Sequence, residues 1–223
     1  MEDNLFKEVE KHLLEDKKPS EYIKSILHKF RGSNLEIIID LEKVEQSPVY
    51  HPEGNVLNHT LLVVDGAAII REYAKDKRSF MWAAFLHDIG KKKATKRVKN
   101  RIVAYKHDIY GKNEVTKLLD SYKFLNDEFK NKVENLVGYH MHGLYMTRNL
   151  PFGDFEEMIK DVELHDIALL FFADKMGKGE RGKKEIKEIA KESINIVKQL
   201  EQKYNINLNK TIDVFKEVME KYH

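Results

Sequence analysis

The stretch SFMWAAFLHDIG, residues 79–90, runs an apolar helical segment straight into an imidazole and a carboxylate, His87 and Asp88. Burying either group without a partner is costly, so any fold this chain adopts must bring a partner to them. Gly90 breaks the segment, and Lys91, Lys92, Lys93, Lys96, Arg97, Lys99 and Arg101 follow it closely. These bases read either as a solvated loop face or as a local positive field.

The pattern recurs along the chain. His59 sits beside LLVV, His107 follows the basic segment, His140 follows VENLVGY, and Asp174 follows IALLFFA. Each alone reads as a hydrogen-bonded core or rim residue. Together, these histidines and carboxylates on separate apolar helices must find many partners or share one. A shared partner is a divalent ion with nitrogen and oxygen ligands, because the chain has no cysteine. The same absence excludes disulfides, thiolate zinc sites and a cysteine nucleophile. Asp88 has two oxygens and can bridge two ions, with His59, His87 and Asp174 completing the first site and His107 and His140 the second. Two ions about 3.5–4 Å apart are suited to activating water and to stabilising a phosphoryl group as it is displaced. The sequence admits iron, manganese, nickel or cobalt, with magnesium or zinc also admissible.

Apolar spacing predicts helices over 3–18, from Pro19 to Phe30, across LEIIIDLEKVEQ, and over 56–70, 79–90, 108–121, 127–141, 156–176, 184–203 and 210–220. Residues 91–106 read as a connection, and almost nothing reads as a strand. The expected fold class is therefore all-α, a helical bundle. A chain of 223 residues, 42% hydrophobic and 34% charged, suits one globular domain over 1–223. A net charge of +2 is too small to argue for nucleic acid by itself. The N-terminus lacks a signal-peptide pattern and no run reaches the roughly 18 apolar residues of a membrane span, so the expectation is a cytoplasmic protein with no membrane partner.

The order His59, His87-Asp88, Asp174 resembles the H…HD…D signature of the HD-domain metal-dependent phosphohydrolases, and His107 with His140 resembles the subset that carries two metals. Within that superfamily the likeness is nearest to the HD domain of bacterial CCA-adding tRNA nucleotidyltransferases, through YHPEGNVLNHTLLVVDGA, AAFLHDIGK, YKHDIYG, VGYHMHG and LLFFADKMGKG. It covers roughly residues 35–180, with helical extensions on both sides. The resemblance implies an HD-domain-like helical bundle with phosphomonoesterase or 2′,3′-cyclic phosphodiesterase chemistry on nucleotides or phosphorylated RNA ends. Hydrolysis of dinucleoside polyphosphates or deoxynucleotides is the alternative within the enzyme class. A catalytically silent module binding a nucleotide or protein is the alternative outside it. A protein partner or a homo-oligomer stays open. No nucleotidyltransferase core precedes HPEG at residue 51, so CCA addition is not expected of this chain.

Beside Asp88, which carries both metal and catalytic roles, Lys91, Arg148 and Lys178 are candidates to contact phosphate, and Lys175 is a similar one. Each of these bases has a surface reading as well. His142 is a second choice as ligand because residues two apart on a helix face apart. His51 and Glu53 read as structural parts of the HPEG turn. His12, His28, His165 and His223 read as non-catalytic, and Trp82, Phe85, Phe171 and Phe172 as core.

Overall fold

The computed structural model describes residues 2–222; His223 lies outside them. Two helices open the chain, α1 (Glu2–Glu15) and α2 (Pro19–Phe30), followed by the short α3 (Glu36–Asp40). The centre is formed by α4 (Val56–Ile70), α5 (Lys77–Leu86), α6 (Lys91–Ala94), a hairpin of β1 (Lys96–Val98) and β2 (Arg101–Val103), α7 (His107–Asp120) and α8 (Asp127–Tyr139). Then come α9 (His142–Thr147), α10 (Phe155–Asp161), α11 (Leu164–Met176), α12 (Lys183–Tyr204) and α13 (Asn209–Lys221). The fold is a mostly helical bundle with one small antiparallel sheet.

Helices α4, α5 and α11 pack against one another, and α8 packs on α5 and α7. α5 is buried from Ser79 to Leu86 and α11 from His165 to Ala173, as expected of helices apolar on every face. One cluster of buried apolar side chains reaches from Phe6 in α1 through Trp82 to Phe172 and Phe215 in α13. Trp82 stacks on Phe6 at 4.0 Å and donates its Nε1–H to Glu10 Oε2 at 2.9 Å, so the indole is core with a satisfied polar tip. Phe85, Phe171 and Phe172 are core as well.

Three expectations are corrected. LEIIIDLEKVEQ is not one helix: after Asp40 a single 3-10 turn, Leu41–Lys43, gives way to extended backbone at Val44. The predicted helix 156–176 is two, because Val162 is extended (φ −126°, ψ 151°). The second begins where long-range partners hold it: the Asp166 carboxylate accepts from the backbone N–H of Lys75 and Asp76 at 2.8 and 3.0 Å. His165 is likewise tied to Tyr73 and Thr211, a structural role matching its reading. Finally, the connection 91–106 contains α6 and the hairpin. Its two-residue loop, Lys99 and Asn100, takes φ of 47° and 61°, the geometry that matches strand twist, but without the glycine that would have announced it.

Candidate metal centre

α5 ends at Leu86, and a tight turn places His87 and Asp88 in the interior, both nearly inaccessible. The turn can lie against the start of α7 only because residue 90 is glycine. A Cβ there would fall 2.0 Å from the His107 carbonyl oxygen and 2.3 Å from Gly111 N. That contact sets His107 beside Asp88. His59 arrives from the second turn of α4, His140 from the C-terminal cap of α8, and Asp174 from the last turn of α11.

The imidazoles share one device. His87 Nδ1–H donates to Ala84 O at 2.9 Å, His107 Nδ1–H to Ala104 O at 2.7 Å, and His140 Nδ1–H to Val137 O at 2.7 Å. A carbonyl only accepts, so the proton of each neutral ring is committed to Nδ1 and the lone pair of Nε2 is turned toward Asp88. His59 is held the same way, its Nδ1–H shared between Glu53 Oε1 at 2.8 Å and Gly177 O at 3.0 Å.

Around Asp88 the nitrogens divide by oxygen. Oδ2 is 3.2 Å from His87 Nε2 and 3.6 Å from His59 Nε2. Oδ1 is 3.3 Å from His107 Nε2 and 3.7 Å from His140 Nε2. Asp174 reaches the first group through His59, with Oδ1 3.0 Å from its Nε2. The structure thus brings together His59, His87, Asp88, His107, His140 and Asp174. Two triads, His59–His87–Asp88 and Asp88–His107–His140, each keep their ligand atoms within 4.8 Å of one another and share the carboxylate.

These groups fit a divalent cation. His87 Nε2 and Asp88 Oδ1 are buried with no hydrogen-bond partner among the described residues, and Asp88 Oδ2 is met by a donor only at the Lys91 ammonium, 2.7 Å away. Burial opposes the charge of Asp88, but Lys91, His87 and His107 outweigh it and hold the carboxyl well below the usual range. Burial, aided by His107 and His87, pushes His140 down to about 3, which keeps it a neutral ligand. Burial also opposes charge on Asp174, and Lys178 and His59 overcome it. A buried His/Asp cluster able to coordinate a divalent metal is therefore present; the chemistry of its donors is nitrogen and oxygen throughout.

The basic candidates separate. Lys91 is buried, its Nζ 2.7 Å from Asp88 Oδ2 and 2.7 Å from Gln46 Oε1, so its solvent-exposed reading is corrected. Lys178 is half-buried near Asp174 and lines the pocket above the cluster. Arg148 lines the same pocket from its rim, exposed, with its guanidinium 5.6 Å from the Tyr50 ring centroid. Lys175 is spent elsewhere, paired with Glu192 on α12. His142 is buried among Tyr139, Tyr145 and Phe155, outside both triads. Glu53 does more than shape a turn. Burial raises its pKa, but the hydrogen bonds from His51 and His59 outweigh burial and hold it at about 2, and it fixes which face of His59 meets Asp88. The HPEG motif carried that signal, since an acid six residues before a ligand can reach its ring.

Residues 56–163 match the family model described as HD domain. That segment, just under half of the chain, has an HD-domain fold. The match starts just after Glu53 and stops before Asp174, so the HD-domain segment alone supplies His59, His87, Asp88, His107 and His140, while tertiary contacts add the other two. The same length of chain is 30% identical over 108 residues to the "Multifunctional CCA protein" of Actinobacillus pleuropneumoniae serotype 5b (strain L20), and equally to that of serotype 7 (strain AP76). Each match covers 48% of this chain and 26% of the relative, so the chain spans about a quarter of the length of the curated relatives it matches. Among the described residues no helix is long and apolar enough to cross a membrane.

Proposed function

We propose that this HD-domain protein is a divalent-metal-dependent phosphohydrolase, a phosphomonoesterase or 2′,3′-cyclic phosphodiesterase, acting on nucleotides or RNA ends. The observation that carries the reading is the division of four Nε2 atoms between the two oxygens of one buried carboxylate. In this reading His59, His87, Asp88 and Asp174 hold one ion and Asp88, His107 and His140 a second. Bound there, divalent ions supply an activated water for attack on phosphorus and charge to stabilise the phosphoryl oxygens.

The chain's own residues do the rest. Backbone-anchored Nδ1–H groups keep the rings from turning, so ligand geometry is set before substrate arrives. Lys178 and Arg148 border the pocket and neutralise phosphate oxygens. Lys91, next to Asp88, is placed to release that carboxylate to an ion and turn its ammonium to the phosphate. The test is phosphate release from a nucleoside monophosphate and opening of a 2′,3′-cyclic nucleotide, with manganese, nickel or cobalt. RNA bearing the same termini and a dinucleoside polyphosphate serve as comparisons. Turnover of the first two that disappears in Asp88→Asn supports the reading. Preferential turnover of the polyphosphate shifts the substrate class, and failure of all four with metal bound makes the protein a binding module.

A further inference from the structure

The pocket above the cluster has a volume of about 330 Å³, and its walls change character from floor to mouth. Asp88 and Lys91 line it as buried charges, 2% and 8% exposed, whereas Tyr50 and Tyr105 line it while remaining 56% and 67% exposed. They come from different segments, Tyr50 from the turn before HPEG and Tyr105 from the stretch between the hairpin and α7. Large aromatic faces left open beside a charged floor match a molecule with a phosphate at one end and a flat π-system at the other. The volume falls at the low end of the roughly 300–1,000 Å³ typical of ligand pockets, the size of one nucleotide unit.

A second observation is independent of the tyrosines. Gln46 is only 8% exposed and lines the same pocket. Lys91 Nζ carries donors alone, so Gln46 must present Oε1 to it, which it does at 2.7 Å. The amide orientation is thereby decided, and Nε2, buried, has no hydrogen-bond partner among the described residues. A buried donor fixed in a pocket wall and left unpaired is placed for an acceptor on a ligand.

We propose that this pocket binds a single nucleotide unit, with Tyr50 and Tyr105 stacking the base at the mouth and Gln46 Nε2 donating to an oxygen of its sugar-phosphate end. The proposal rests on the phosphohydrolase reading for the phosphate at the floor, and it assigns what lies at the opposite end. Arg148, over Tyr50, adds a cation to the aromatic rim.

The test is calorimetric titration of the full chain with adenosine 5′-monophosphate and with ribose 5-phosphate, which lacks the base, alongside phosphate release from both. The wild type should bind the nucleotide about 5- to 150-fold more tightly, as base stacking on one aromatic ring is worth about 1–3 kcal/mol and each 1.4 kcal/mol is tenfold. Tyr105→Ala should bring the two affinities together, and Tyr50→Ala should narrow the gap. Gln46→Leu should weaken both ligands by a similar factor, with Gln46→Asn recovering part of the loss. Equal wild-type affinities, or tyrosine variants that weaken both ligands alike, overturn the base assignment; a Gln46→Leu variant indistinguishable from wild type overturns the amide's role. The outcomes separate from those of the phosphohydrolase reading. Base-dependent affinity with no turnover of any of the four phosphohydrolase substrates leaves this proposal standing and removes that one, while release from both ligands with equal affinity does the reverse.

Discussion

His107 Nε2 and His140 Nε2 face each other at 3.1 Å, and the Nδ1 of each ring is bonded to a backbone carbonyl. With both protons committed to Nδ1, two lone pairs point into one buried space, an arrangement that a cation relieves. Metal should therefore stabilise the fold. At a manganese, nickel or cobalt concentration 100 times Kd, linkage adds about 2.7 kcal/mol, to be seen as a rise in melting temperature that a chelator reverses. No change in melting temperature at confirmed metal occupancy would count against this.

The two triads meet only at Asp88, so the consequences of substitution should be unequal. His107→Ala with His140→Ala should lower the bound metal from two ions to one. Asp88→Asn should lose both and reduce phosphate release by at least about 100-fold, in line with the 10–100-fold cost of disturbing even outer partners of a metal site. Elemental analysis of the purified variants reads the stoichiometry directly.

Gly90 can be tested without touching a ligand. A methyl group there meets backbone, not a flexible side-chain end, at the His107 oxygen and Gly111 nitrogen. Gly90→Ala should cost about 1–3 kcal/mol in denaturant unfolding, the range of an overpacked core. It should also weaken the ion on the His107 side more than the one on the His59 side. Uniform weakening would indicate general loosening of the fold.

Glu53 accepts from two imidazoles through one oxygen, and an amide there keeps only a neutral acceptor. Glu53→Gln should weaken metal binding at the His59 triad by about 10–100-fold while leaving the circular dichroism spectrum intact. An unchanged metal affinity would show that Gly177 O alone suffices to orient His59.

Much of this was legible along the chain. Apolar stretches of helical length led to α4, α5 and the central part of α11, because a helix buried on most sides leaves its mark in composition, and apolar spacing along one face led to α8. The ligand residues were legible for the same reason: an imidazole or carboxylate interrupting such a stretch demands a partner. Local pattern failed where local preference was overruled. Val162 is extended although the helical spacing reads through it from 156 to 176, since Asp166 is anchored to the distant backbone of Lys75 and Asp76. The hairpin went unread because Lys99 and Asn100 take positive φ without a glycine.

By itself the sequence determined which residues were candidates and that they sit on helices or just past their ends, since periodicity and the burial cost of charge act within a few turns of chain. It did not determine where rings point. Only the tertiary structure decided that His59 and His87 face Oδ2 of Asp88 while His107 and His140 face Oδ1, that Lys91 joins Asp88 to Gln46, and that Lys175 turns away to Glu192. Those choices depend on helix rotation and on contacts across many residues of separation, such as the approach of the Gly90 turn to α7, which no window of neighbouring residues encodes.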